Sequence, residues 1–224
     1  MNVSANLDAV RARIAHAGGE PDGVTIVAVT KGFGADAVEA AIDAGLPDVG
    51  ENYAQELEAK AAALAPGVAS RCRWHFLGHI QRNKVRRISP HVRVWHSVDR
   101  ASAGQEIASK APNAAVLVQL NVSGDGAKSG CRFDDAPALV DALTTLGLDV
   151  RGLMAVGPSG PPELARPGFR QLTQLADRLG LPERSMGMTN DLEVAVQEGT
   201  TMVRLGRALF GERNARPEPS DLRR

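Results

Sequence analysis

Two apolar patterns alternate along this chain: runs of consecutive apolar residues, and stretches where apolar residues return every third or fourth position. The clearest run is Val24-Thr-Ile-Val-Ala-Val-Thr-Lys31, whose β-branched residues favour an extended backbone. Apolar on both faces, it reads as a strand of a parallel sheet covered on both sides. Further strands are predicted over 48–52, 73–79, 92–97, 114–121, 150–156, 184–188 and 201–206. Between them the period changes to that of a helix. Leu7, Val10, Ile14 and Ala17 mark one over 4–17, with Ser4 as its cap. Others are expected over 36–44, stopped by Gly45, and over 53–64, closed by Pro66-Gly67. Later helices read over 83–88, 99–110 with Asp99 as cap, 134–146, 163–179 with a break at Pro167-Gly168, and 191–198. Residues 18–23 and the Gly-Pro-Ser-Gly-Pro-Pro stretch at 157–162 are loops.

Eight strands alternating with helices in some 200 residues predict an α/β protein, a single (β/α)8 barrel of the TIM type with an additional helix at its N-terminus. An open doubly wound sheet rarely needs eight strands in succession, and no Gly-x-Gly-x-x-Gly follows any strand. The barrel is expected to occupy residues 1–211. The Arg-, Glu- and Pro-rich residues 212–224 are expected to form a flexible C-terminal tail.

Composition narrows the surroundings. Apolar residues make up 43% and charged residues 23% of the chain, ordinary values for a soluble globular protein. The formal net charge is zero, which removes any global attraction to nucleic acid or to a membrane surface. Cys72 and Cys131 lie far apart in no metal-binding spacing and read as thiols in a reducing compartment. No signal-peptide pattern and no apolar run near membrane-spanning length is visible, so a cytoplasmic protein is expected.

Barrel chemistry gathers at the C-terminal ends of the strands. Those ends supply Lys31, Glu51-Asn52, His79, Asn121, Met154, the segment from Ser185 to Thr189, and Arg204 to Gly206. Each has a plain alternative: Asn52 and Asn121 as turn formers, His79 as a satisfied histidine, Met154 as core filler, Lys31 and Arg204 as halves of ion pairs. Two features favour chemistry. The chain has only five lysines against 21 arginines, and lysine alone of the two can lose its proton on burial and form a Schiff base. Ser185-Met-Gly-Met-Thr189-Asn-Asp191 places two hydroxyls and a glycine before a helix, and Gly206 follows the eighth strand, where barrels commonly bind phosphate. A lysine facing such a site suits an aldehyde that carries a phosphate.

A family resemblance sharpens this. Ala-Val-Thr-Lys31, Gly50-Glu-Asn-Tyr-Ala-Gln-Glu56, Trp74-His-Phe-Leu-Gly-His-Ile-Gln-Arg-Asn-Lys84, His96-Ser-Val-Asp99, Gln119-Leu-Asn-Val-Ser123, Lys128-Ser-Gly130, Arg151-Gly-Leu-Met-Ala155, Ser185-Met-Gly-Met-Thr189 and Met202-Val-Arg-Leu-Gly206 occur in order. From about residue 5 to Gly211 the chain closely resembles the YggS/PROSC family of pyridoxal phosphate homeostasis proteins.

The resemblance implies a barrel similar to the N-terminal domain of alanine racemase, with pyridoxal 5′-phosphate (PLP) held as a Schiff base on Lys31. It implies Arg204 near the pyridine nitrogen, Ser185, Met188, Thr189, Gly206 and Arg207 around the phosphate, and Asn52, His79 and Met154 along the pocket. No catalytic residue and no metal ligand is expected. A cation facing the ring nitrogen keeps it unprotonated and restrains carbanion chemistry. Racemases of this fold also use a tyrosine from a second domain, whereas Tyr53 is the only tyrosine here. The resemblance therefore implies a monomeric carrier that buffers PLP or hands it to apo-enzymes. The alternative is a PLP-dependent amino-acid racemase of weak or specialised activity. A third reading without PLP, a Schiff-base aldolase barrel, predicts a lysine deeper in the barrel. Departures from the family are small: Gly32-Phe-Gly34 after the lysine, a short Pro-rich 157–166 segment, and Thr189 where Ser is commoner.

Overall fold

The computed structural model describes residues 2–124 and 129–212. Eight parallel strands close into a barrel in sequence order: β1 (Thr25–Val29), β2 (Asp48–Glu51), β3 (Arg73–Phe76), β4 (Val92–Val98), β5 (Ala115–Leu120), β6 (Asp149–Ala155), β7 (Glu183–Ser185) and β8 (Met202–Leu205). β8 pairs with β1 along four registered positions, from Thr25 against Met202 to Ala28 against Leu205, and so no sheet edge remains. The helices are α1 (Val3–His16), α2 (Ala35–Asp43), α3 (Ala54–Ala63), α4 (Pro66–Ala69), α5 (Arg82–Ile88), α6 (Ala101–Lys110), α7 (Ala136–Thr145), α8 (Arg166–Arg178), α9 (Leu192–Gln197) and α10 (Arg207–Phe210). The predicted (β/α)8 barrel is the fold.

Period-two alternation within each strand builds two layers of core. Outward residues such as Val49, Phe76, Trp95, Val116, Val118 and Leu153 pack under the helices around Leu57, Ile107, Leu143 and Phe169. Burial of each such side chain contributes roughly 1.5–3 kcal/mol. Inward, Val94, Ala115, Leu117 and Met154 form a small apolar cluster of their own. Val27 and Met202 also face inward, and beside them a polar group is buried: Asp48, His75, His96, Ser185 and Arg204.

The additional N-terminal helix α1 buries Val3, Leu7, Val10 and Ile14 with Leu192, Val196, Leu209 and Phe210 of α9 and α10. Its Arg13 reaches over the barrel rim, donating from Nη2 to the Thr189 carbonyl at 2.9 Å and pairing with Glu193 at 2.6 Å. The N-terminus of the chain is thereby fastened to the loop after β7.

Local details differ from expectation in ways that side chains explain. Asn2, not Ser4, caps α1, accepting from the Ala5 N–H at 3.2 Å. Asp99 is not a cap; its carboxylate accepts from Arg100 at 2.6 Å, and Arg100 holds the cap position. Pro167 does not break its helix but sits in the first turn of α8, where a missing N–H costs nothing, after a 3-10 turn over Pro162–Ala165. The expected C-terminal tail lies, from residue 213 on, outside the described residues, as does Lys128. Among the described residues no helix is long and apolar enough to cross a membrane.

Candidate functional site

The C-terminal ends of the strands surround a cavity of about 720 Å3. Lys31, Asn52, Met154, Met188, Thr189, Arg204, Gly206 and Arg207 all line it, and residues 157–160 with Pro162 form part of its wall. Eight expected positions from β1, β2, β6, β7 and β8 thus meet in one space.

Lys31 follows β1 on a backbone held at both neighbours. The Thr30 carbonyl accepts from Lys60 Nζ at 2.7 Å, and the Gly32 N–H donates to Glu56 Oε2 at 2.8 Å. Gly32 has φ +77°, a turn that a residue with a Cβ adopts only under strain. Behind this turn Lys60, only 5% exposed, makes a short ion pair with the fully buried Glu51 and a second pair with Glu56 at 3.3 Å. Burial pushes the Glu51 carboxyl up, and the ammonium of Lys60 opposes that rise. Glu51 Oε2 also accepts from the Asn52 N–H at 3.0 Å. One buried acid–base cluster therefore fixes the turns carrying both Lys31 and Asn52.

On β8, the strand paired with β1, Arg204 is 5% exposed. Its Nη1 donates to the Ser185 carbonyl at 2.7 Å and to Ser185 Oγ at 2.6 Å, and its Nη2 to the Ala155 carbonyl at 2.8 Å. Burial lowers its pKa to about 10, against the favourable charge of Asp191, so it stays a cation at neutral pH. A guanidinium has five N–H donors and no acceptor, so the edge that lines the cavity can only donate. Asn52 Oδ1 is buried without a partner among the described residues, an acceptor available to a bound group.

The loop after β7 forms the remaining rim. Gly187 has φ +96°, and a Cβ there would meet the Ala195 Cβ at 2.6 Å. Asp191 Oδ1 accepts from the Met188 N–H at 2.6 Å, which turns that carboxylate into its own loop. Arg207 Nη2 reaches Asn190 Oδ1 at 3.3 Å. A hydroxyl (Thr189), a glycine after β8 (Gly206) and a cation (Arg207) then share one side of the cavity, a donor set suited to an anion.

Two expected residues lie elsewhere. β3 ends at Phe76, and the chain turns outward before reaching His79. His79 is exposed and lines a separate cavity of about 150 Å3 with Tyr53, Lys84 and Trp95, which meets the mouth at Asn52. Ser185, the last residue of β7, points into the barrel beneath Arg204, where its hydroxyl also contacts His96 Nδ1 at 3.1 Å. It serves Arg204 and does not line the cavity. The supporting groups Lys60, Asp48, His75 and His96 were not among the expected site residues. The signals for them were a lysine four residues after Glu56 on one helix, and single polar residues at alternate positions in otherwise apolar strands.

Comparison with known proteins agrees with this geometry. The model of the alanine racemase N-terminal domain matches residues 2–214. The pyridoxal phosphate homeostasis protein of Pseudomonas aeruginosa is 43% identical over 95% of this chain and 96% of its own. That of Deinococcus radiodurans is 40% identical over 94% of this chain and 100% of its own. PipY of Synechococcus elongatus PCC7942, solved with PLP bound, superposes with a TM-score of 0.79 at 32% identity, covering 90% of this chain and 100% of PipY. With near-complete coverage in both directions, this chain belongs to the family of pyridoxal phosphate homeostasis proteins, built on the alanine racemase N-terminal fold.

Proposed function

We propose that the barrel mouth binds PLP covalently on Lys31, and that the protein stores this cofactor and supplies it to apo-enzymes rather than turning over amino acids. The observation that carries the reading is Arg204, a buried donor-only cation, sharing one cavity with Lys31. When bound, PLP supplies an aldehyde that captures amines and a ring that withdraws electrons from them. The residues present fit that group. Lys31 offers the amine, and the unpartnered Asn52 Oδ1 beside it offers an acceptor. Thr189, Gly206 and Arg207 offer hydroxyl, close backbone approach and positive charge to the phosphate. Arg204, which can only donate, would disfavour protonation of the ring nitrogen it faced and so weaken electron withdrawal. Met154 and residues 157–160 with Pro162 would wall the bound group.

A racemase places a base on each face of its substrate. The titratable groups among the described lining residues are Lys31, Asp191, Arg204, Arg207 and Glu212. Arginine stays protonated, Asp191 is engaged by Met188, and Glu212 is an exposed rim carboxylate 4.0 Å from Arg207. This favours storage over turnover.

The test is spectroscopic. Purified protein should be yellow, and Lys31→Ala should fold normally but lose the absorbance and the borohydride-fixable adduct. Transfer is then measured as activation of an apo-enzyme dependent on PLP. A colourless wild type that PLP cannot reconstitute would refute the binding, and enzyme-like racemisation of alanine would refute the storage role.

A further inference from the structure

Six polar side chains of the barrel form one connected column. Arg73 Nε donates to Asp48 Oδ1 at 2.8 Å, and its Nη2 lies 2.5 Å from Oδ2. Asp48 Oδ1 lies 2.9 Å from His75 Nε2, His75 Nδ1 lies 2.8 Å from His96 Nε2, and His96 Nδ1 lies 3.1 Å from Ser185 Oγ. Ser185 Oγ accepts from Arg204 at 2.6 Å. Five strands contribute one link or more, and Asp48, His75, His96, Ser185 and Arg204 are each at least nine-tenths buried.

The hydrogens in this column have one consistent arrangement when both imidazoles are neutral. Asp48 is a carboxylate: burial would raise its pKa, but hydrogen bonds from His75 and Arg73 outweigh that and hold it at about 2. A carboxylate can only accept, so His75 carries its proton on Nε2. His75 Nδ1 is then an acceptor, and His96 must donate from its Nε2. His96 Nδ1 in turn accepts the Ser185 hydroxyl proton, and Ser185 Oγ accepts from Arg204, which can only donate. Every link agrees in direction.

We propose that Asp48, His75, His96 and Ser185 are positioning residues for Arg204: a directed hydrogen-bond column that fixes which of its N–H groups face the mouth and carries a change of charge from the closed end of the barrel to it. The proposal rests on the PLP reading only for what Arg204 then meets. A proton added to His75 would make both its nitrogens donors, and His96 would have to move its own proton to Nδ1. Ser185 Oγ would then receive N–H groups from both His96 and Arg204, and its own hydrogen would have to turn away. The charged and titratable groups around His75 are Asp48 of β2, Arg73 of β3, His96 of β4 and Glu183 of β7, with Arg204 of β8 beyond Ser185. Burial, with His75 and Arg204 adding to it, keeps His96 well below its ordinary pKa, consistent with the neutral arrangement.

Two measurements on the purified full chain test this. The first is side-chain nitrogen NMR of the histidines, which reads tautomers whether or not PLP is bound. Wild type should show His75 and His96 as Nε2–H forms, and Ser185→Ala should release His96 from that form while His75 keeps it. The second is the absorbance of bound PLP from about pH 6 to about pH 9, with its rate of loss on dilution. Ser185→Ala and His96→Gln should alter the pH profile and speed PLP loss about tenfold, the effect of one charge-assisted hydrogen bond. Ser185→Thr, which keeps the hydroxyl, should restore both. Asp48→Asn, at the far end, should move the spectrum in the same sense, which a merely local packing role would not do. An Nδ1–H form of His96 in wild type overturns the column, as do folded Ser185→Ala and Asp48→Asn proteins with unchanged spectra and PLP retention. A wild type with the expected tautomers but no PLP absorbance would instead remove the cofactor reading and leave the column standing.

Discussion

Replacement of Lys60 by Met tests whether the buried acid–base cluster holds the Lys31 turn. The substitution keeps the length of the side chain and removes its charge. Glu51, fully buried, would lose its counter-ion, and the Thr30 carbonyl would lose its donor. An unpaired carboxylate there escapes by taking up a proton. From its ordinary value of 4.5, protonation at pH 7 costs about 1.36 kcal/mol for each of 2.5 units, or about 3.4 kcal/mol. The lost bond to Thr30 adds about 1 kcal/mol. Urea denaturation at pH 7 should therefore show a loss of about 3–5 kcal/mol, within the range for breaking a buried pair. The sign of the pH dependence follows. In the variant Glu51 has a folded pKa raised above its unfolded value, so the folded state binds a proton that the unfolded state gives up. The loss should shrink by about 1.4 kcal/mol for each pH unit below 7, leaving about 1–2 kcal/mol near pH 5. Adding Glu51→Gln should abolish this slope. A loss under about 1 kcal/mol, or one independent of pH in the single variant, would refute the assignment of Glu51 and Lys60 as a charged buried pair.

Other outcomes follow from the same geometry. Asp48→Asn should cost about 2.4 kcal/mol in urea melts near pH 6, from a pKa lowered from 3.8 to about 2. Because that pKa is depressed, the wild-type advantage exists above pH 4 and should vanish as the pH falls through about 2; equal stability of the two proteins at pH 6 would contradict it. Gly78→Ala would place a Cβ 1.8 Å from the Asn52 carbonyl oxygen. Thermal unfolding should register a loss of about 3 kcal/mol or more, with weakened PLP retention as Asn52 shifts, and a neutral variant would show that the turn yields. Burial pushes the Cys72 thiol up to about 12 and the Cys131 thiol up to about 11. Alkylation of folded protein at about pH 8 should run about three orders of magnitude slower than for a free thiol at Cys72 and about two at Cys131, and a free-thiol rate at either cysteine would refute the burial.

What the chain discloses in advance depends on which neighbour dictates each residue. β1 and β5 are legible because a parallel strand covered on both faces writes its burial directly as consecutive apolar residues, as at 26–29 and 115–118, whereas β7, Glu-Arg-Ser, is placed only by the alternation of strands and helices around it. The one-turn helices α4 and α10 leave too short a pattern to register, and Pro167 is ambiguous until the helix start beside it is located. Lys31, Arg204 and the rims of β7 and β8 are legible because strand ends in this fold point at one place. His79 and Ser185 show the limit of that rule. A shift of three residues past the end of β3 turns His79 out of the mouth, while Ser185 sits one layer too deep to line it. Lys60 is hidden for another reason: an exposed Glu–Lys helix pair and a buried one are the same letters, and only the strand behind α3, which ends in Glu51, distinguishes them.

The column through the barrel bears on folding as well as on the mouth. In a parallel barrel a slip of one residue between neighbouring strands exchanges every inward side chain for an outward one. Apolar interiors penalise such slips weakly, since valine or leucine suits either side. Here a one-residue slip of β3 would bury the Asp48 carboxylate opposite Trp74 or Phe76 and drive His75 under the helices without a partner. Each mispaired ionisable group costs several kcal/mol, a large share of the 5–15 kcal/mol that holds a domain together. The polar axis thus acts as a proofreading element for strand alignment: β2, β3, β4, β7 and β8 can close only in the one register that completes it.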